Sequence, residues 1–137
     1  MGKVSLASLV LAKNFSKIKM KTEQLSIYHK TYQMLKFFYA MVKNFPKEHK
    51  YSLGKEIVDL TWNCLDLTIE ANNLRGKMKG DKIFELSLVF DKLKMRIRIS
   101  QEINLISIGQ FAHLQENYIL IIGKEIGGWQ KWAMNIR

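Results

Sequence analysis

The sequence predicts an all-α protein, an antiparallel four-helix bundle, and three observations predict it. Beyond residue 21 the chain contains one proline, Pro46. Apolar residues there recur at steps of three and four, the repeat that lines one side of a helix. No run alternates polar and apolar residues in the way a half-buried strand does.

Three breaks divide the chain. The first segment, 23–44, ends at Asn44-Phe45-Pro46-Lys47, because proline lacks an amide hydrogen and clashes inside a helix but suits its first turn. The second, 48–73, ends in Asn72-Asn73, followed by Gly76 and Gly80, a run rich in helix-stopping residues. Asp81 then has the short acceptor side chain of an N-cap and opens a third segment, 81–104. A softer break from Asn104 to Gly109 offers Ser107 as the cap of a fourth segment, 108–134.

Two segments carry more apolar surface than one buried face needs. In the second, Leu53, Ile57, Leu60, Cys64, Leu67 and Leu74 form one stripe, and Val58, Trp62, Leu65 and Ile69 another. In the third, Ile83, Leu86, Phe90, Leu93 and Ile97 form one stripe, and Phe84, Leu88, Met95, Ile99 and Ile106 a second. A surface helix buries a single stripe. A second stripe calls for a broad bundle core or a subunit interface, which resembles an extended core. Lys92 with Arg96, and Lys94 with Arg98, each stand one turn apart, on the strips between the two stripes of the third segment. They are placed to rim such an interface, or else to stand in water or pair with Asp91, Glu102 and the acids of the second segment.

The charge balance is the compositional anomaly. In 137 residues, 22 Lys+Arg stand against 12 Asp+Glu, giving +10 at pH 7. Such a surplus points to a polyanionic partner. Residues 1–21 hold Lys3, Lys13, Lys17, Lys19 and Lys21 and no acid, so this basic arm carries half of the surplus. The remainder, 22–137, reads as the bundle. The apolar stretch Leu6–Ala12 is too short to span a membrane, no other apolar run is long enough, and the protein is expected to be soluble and cytoplasmic.

Catalytic and metal-binding patterns are missing from the sequence. His29, His49 and His113 match no metal spacing, and His49, after Pro46, is expected in water. Cys64 sits between Leu60 and Leu67 on an apolar stripe and reads as a packed thiol. One cysteine forms no internal disulfide and no cysteine-rich zinc site. The expectation is a binding protein without metal or cofactor.

Three stretches resemble a known family. The turn Phe45-Pro46-Lys47-Glu48-His49-Lys50-Tyr51-Ser52-Leu53-Gly54 is similar to the helix 1–2 turn of the accessory variability determinant (Avd) proteins of diversity-generating retroelements. Leu93-Lys94-Met95-Arg96-Ile97-Arg98-Ile99 resembles that family's basic third helix. Ile122-Gly123-Lys124-Glu125-Ile126-Gly127-Gly128-Trp129-Gln130-Lys131-Trp132 resembles its Gly-Gly-Trp ending. The Phe-Pro-Lys turn is shared with bundle proteins encoded by intervening sequences of ribosomal RNA genes, a structural type without a reverse-transcriptase partner; the other two stretches favour Avd. Lys55-Glu56 replaces a common Gln-Arg pair, and Lys94 stands where arginine is common.

The resemblance implies a homopentameric barrel of four-helix bundles that binds a reverse transcriptase and nucleic acid, supports mutagenic cDNA synthesis from template RNA, and is not itself an enzyme. The phosphate contacts then expected are Lys92, Lys94, Arg96 and Arg98. Lys77, Lys79 and Lys82 of the second turn follow, then Lys124, Lys131 and Arg137. Trp129 is expected to pack; for Trp132, packing and partner contact stand level.

Overall fold

The computed structural model describes the backbone of residues 22–135 and the side chains of residues 26–135. The basic arm 1–21 and Arg137 lie outside the described residues. Helix α1 is Thr22–Lys43. Helix α2 runs without interruption through a first turn Lys47–His49, a π-helical turn Lys50–Gly54 and a long α-helical part Lys55–Asn73. Helix α3 is Gly76–Glu102. Helix α4 comprises Ile108–Leu114, a second π-helical turn Gln115–Ile119 and Leu120–Met134. The described residues contain no strand.

Each helix packs against its neighbours in the chain, and α4 closes back onto α1. The core is the sum of four stripes. In α1, Ile27, Thr31, Met34, Phe38 and Met41 step by fours and threes and are all buried, and Phe45 continues the stripe just beyond the helix end. The first α3 stripe, Ile83, Leu86, Phe90, Leu93 and Ile97, is buried throughout, as expected. In α4, Leu114, Ile119, Ile122, Ile126 and Trp129 are buried. The step from Leu114 to Ile119 is five residues, one more than an α-turn carries. The wide π turn absorbs the extra residue and keeps both side chains on the core face.

The core also holds polar residues at helical spacing, Thr61 and Thr68 of α2 and Ser100 of α3. Their hydroxyls donate to the carbonyls four residues back, Thr61 to Ile57 at 2.8 Å, Thr68 to Cys64 at 2.8 Å and Ser100 to Arg96 at 2.7 Å. A buried hydroxyl satisfied in this way escapes most of its desolvation penalty.

The second turn differs from the sequence expectation. Only Leu74 and Arg75 separate α2 from α3, and the helix restarts at Gly76. Gly76 has φ +60, so the glycine signal is real, but it marks a reversal of two residues and not a long loop. Gly80 lies inside α3, and Asp81 is not a cap. An interior glycine costs about 1 kcal/mol relative to alanine. Burying Ile83 and Leu86 in the next turn contributes about 1.5–3 kcal/mol each and outweighs it.

The other two breaks stand near their expected places. Pro46 precedes α2 with φ −55 and ψ 148, and its carbonyl accepts from Lys50 N at 2.9 Å. Ser107 caps α4 in a reciprocal box: its Oγ accepts from Gln110 N at 3.0 Å, and Ser107 N donates to Gln110 Oε1 at 2.9 Å. Asn104 takes the left-handed conformation, φ 64, that turns the chain out of α3. Ile106 therefore tucks into the core and leaves the second α3 stripe.

Gly54, in the π turn of α2, is where the first connection packs tightest. A Cβ there would lie 2.5 Å from Val42 Cγ1 and 3.4 Å from the His49 carbonyl oxygen. Valine is stiff at χ1 and cannot swing aside freely. Gly54→Ala is expected to lose about 1–3 kcal/mol by overpacking, read by urea denaturation. Adding Val42→Ala should recover part of that loss in a double-mutant cycle. Strict additivity would show that the close approach is not the cause.

Candidate nucleic-acid interface

The second α3 stripe faces outward. Phe84 is 57% exposed and Met95 68%, with Leu88 and Ile99 exposed beside them. On a helix of 3.6 residues per turn these four fall within a narrow arc opposite the core stripe. Trp62 of α2 is also exposed, whereas Leu65 of the same predicted stripe is buried and Val58 and Ile69 are half-buried.

The basic residues of α3 flank the outward strip, Lys92 and Arg96 on one side, Lys94 and Arg98 on the other. Three of the four have acidic neighbours. Lys94 Nζ lies 3.1 Å from Asp91 Oδ1 and sits 5.4 Å from the centre of the Phe90 ring. Arg96 reaches across to Glu56 of α2 at 3.9 Å and donates to the Lys92 carbonyl at 3.3 Å. Arg98 Nε donates to Glu102 Oε1 at 3.1 Å. Lys92 is exposed and forms no ion pair among the described residues. Exposed pairs of this kind are worth about 0–1 kcal/mol, so a phosphate can displace them at small cost.

The lysines expected in the second turn sit instead on the first turns of α3. Lys77 is exposed, at the mouth of a groove that runs past Gly80 and Phe84 to Met134. Lys79 lies 5.7 Å from the ring centres of both Trp129 and Trp132 and donates to the Asn72 carbonyl at 3.4 Å. Lys82 ties α3 to α2, 3.3 Å from Glu70 and 3.4 Å from Glu85. The hydrogen bond to Glu70, then that to Glu85, raises its ammonium above the ordinary lysine value. Lys79 thus links α3 to α2 and α4, and Lys82 links it to α2. Lys124 and Lys131 are exposed on the outer face of α4, seven residues apart. The set does not converge on one patch.

Trp129 is buried and Trp132 packs against the core, so both tryptophans of the ending serve packing. Cys64 is buried, and burial pushes its thiol up to about 12, far from reactive thiolate. His49, expected in water, is half-buried, because the residues after Pro46 form helix and not an open turn. Among the described residues no group of His, Cys, Asp or Glu has the arrangement of a metal site, and no helix is long and apolar enough to cross a membrane.

One aromatic and basic surface escaped the sequence reading. Tyr28, Tyr32, Lys36, Tyr39 and Lys43 follow steps of four, four, three and four along α1, a repeat visible in the sequence once polar and aromatic residues are counted together. Tyr32, Lys36, Tyr39 and Lys43 are exposed and Tyr28 is half-buried. Burial raises the Tyr28 hydroxyl above its ordinary value, with Tyr32 and Asp66 adding to it, so the lower end of this row lies near α2.

Fold and surface together define a class: a basic four-helix bundle that keeps an apolar strip and several clusters of cations on its outside. The family model described as bAvd-like matches residues 25–133, and the chain belongs to the bAvd-like family. The Phe-Pro-Lys turn, the basic third helix and the Gly-Gly-Trp ending all lie inside the matched stretch. Comparison with the curated proteins and with the solved structures gives no match.

Proposed function

We propose that the protein is a non-catalytic accessory subunit of a diversity-generating retroelement. It binds the element's reverse transcriptase together with template RNA and its cDNA, and so supports mutagenic cDNA synthesis in the cytoplasm. In this reading the four helices run antiparallel, and five copies close into a ring through the outward strip of α3. The observation that carries it is that strip, in a bAvd-like chain: Phe84, Leu88, Met95 and Ile99 exposed on one helix, rimmed by Lys92, Lys94, Arg96 and Arg98. An apolar centre with a polar, charged rim is the anatomy of an interface.

Repetition supports the nucleic-acid part. Five copies of a +10 chain set a strong positive field around the ring, and counterion release then drives binding to phosphate. The contacts proposed on each copy are Lys92, Lys94, Arg96 and Arg98, then Lys77, Lys79 and Lys82, then Lys124, Lys131 and Arg137. Helical lysine and arginine without a groove-reading element hold phosphate and shape, not sequence.

The test is co-purification of the chain with the reverse transcriptase encoded beside it, with and without RNase. The expected result is a complex that survives RNase, because protein surfaces meet directly. Loss of the complex on RNase treatment would mean that RNA merely tethers the two, and no complex in either arm would sink the reading.

A further inference from the structure

We propose that the seam between α1 and α2 is a stacking track for single-stranded nucleic acid. This rests on the nucleic-acid reading above and adds a surface that the basic face of α3 does not include. The track begins with the row of tyrosines and lysines on α1, about 22 Å long at 1.5 Å per residue. It passes over the Phe-Pro-Lys turn into a groove floored by Gly54 and Val58 and walled by Tyr39, Lys43, Lys50 and Tyr51.

Three features fit this occupant. First, the rings are presented to water: Tyr39 is 52% exposed and Tyr51 69%. Second, the rings are set in place before any ligand arrives. Trp62 Nε1 donates to Tyr39 Oη at 2.9 Å, and the Tyr28 and Tyr32 rings lie nearly parallel, 6° apart at 6.4 Å between centres. Third, the cations beside them are available. Lys36, Lys43 and Lys50 make no ion pair among the described residues; Lys36 lies 5.2 Å from the Tyr32 ring centre and Lys50 5.9 Å from that of Tyr51. The remaining lysine of the groove, Lys55, is paired with Asp59 at 2.5 Å, and no carboxylate lines the groove.

Flat rings interleaved with ammonium groups not paired with any carboxylate among the described residues match the two repeating parts of an unpaired strand, the base face and the phosphate. A duplex hides its base faces in its own stack and has no use for the tyrosines. A lipid surface takes up aliphatic side chains, and the exposed residues of this track are tyrosines and lysines. Base faces and phosphates are common to RNA and DNA, so the track is indifferent to the sugar.

Fluorescence anisotropy on the full chain tests this with labelled oligouridylate, oligothymidylate, a duplex and an abasic strand of equal length. Both normal strands should bind alike, and more tightly than the duplex. Tyr39→Ala and Tyr51→Ala should each weaken strand binding about 5- to 100-fold, the range that one lost stacking contact gives. The Tyr51 ring stands in water, so Tyr51→Ala reports stacking without disturbing the fold. The abasic strand keeps the charge but loses every stacking contact, and should bind no more tightly than the normal strand binds either tyrosine variant. Lys43→Glu with Lys50→Glu should flatten the dependence of log K on log salt.

Unchanged affinity in Tyr51→Ala, together with full binding of the abasic strand, overturns the proposal. So does equal binding of the duplex. A lower mass in light scattering for Tyr51→Ala, with its affinity intact, assigns the seam to a second copy of the chain. Binding of phosphatidylserine vesicles that is lost in Tyr51→Ala, again with strand binding intact, assigns it to a lipid surface. If only Lys92→Glu and Arg98→Glu weaken binding, the track falls while the nucleic-acid reading stands. If the unaltered chain binds no strand, both fall.

Discussion

Trp129→Ala should cost about 3–5 kcal/mol of folding stability, the usual range for removing a large buried aromatic side chain. Trp129 is only 2% exposed. A domain of ordinary stability has about 5–15 kcal/mol in all, so this variant should be partly unfolded or nearly so. Trp129→Phe should behave differently. Among the described residues the indole Nε1 is buried without a hydrogen-bond partner. An unsatisfied buried donor costs about 1–3 kcal/mol, and phenylalanine removes it while keeping most of the ring. Urea denaturation of the two variants checks this: alanine far below the unaltered chain, phenylalanine close to it. Equal losses would show that the indole N–H has a partner or that packing tolerates no change. The expected pattern gives the tryptophan of the Gly-Gly-Trp ending a role in the fold and leaves the partner contacts to other residues.

Leu88→Glu combined with Met95→Glu should turn the proposed ring into single chains of 16.0 kDa without loss of helix. Both side chains are exposed in the isolated chain, so the bundle core does not need them. In the proposed ring they would occupy the centre of the subunit contact, where two carboxylates lose their hydration and pair at best with the cations of the rim. A stable contact buries about 800 Å² on each side, and the strip from Phe84 to Ile99 extends about 22 Å along α3, enough to form its middle. Light scattering reads the mass and circular dichroism the helix content. An unchanged mass would remove α3 from the interface; a loss of helicity would show that the strip belongs to the fold of the single chain.

The elements were legible where a single residue has one physical use. Pro46 cannot donate, and Ser107 has the acceptor that an open helix end requires, so both breaks stand close to where the sequence puts them. Gly80 and Asp81 were misread because each tolerates helix as well as turn, whereas Gly76 does mark the reversal. Tertiary burial of Ile83 and Leu86 decided the matter, and it leaves no local mark. Thr61, Thr68 and Ser100 hide from a hydropathy reading for a similar reason, since their hydroxyls are satisfied by their own helix. The step of five from Leu114 to Ile119 was the one visible sign of a π turn.

For the candidate site, the pairs of Lys94 with Asp91, of Arg98 with Glu102 and of Arg96 with an acid of the second segment were legible, and the contacts around Lys79 and Lys82 were not. The two stripes of α3, Ile106 excepted, and the cations between them stand where the spacing puts them. That Lys82 binds Glu70 and Glu85, or that Lys79 lies against two tryptophans, depends on which helices become neighbours. The row on α1 escaped because tyrosine and lysine fall in different classes when residues are sorted as apolar or charged, although both present flat or charged groups at one spacing.

The packing order of the helices has a consequence for how the chain acquires its shape. Helices α1, α2 and α3 meet their partners locally in sequence, and contacts of that kind form early and quickly. The seam between α1 and α4, fastened by Ser26 and Glu125 at 2.8 Å, joins residues 99 apart and must wait for the last helix. During synthesis the first three helices are therefore expected to leave an apolar face that includes Phe38 and Ile97 uncovered until α4 arrives. That interval is when the nascent chain is most open to aggregation, and it ends only when Trp129, almost at the end of α4, is seated.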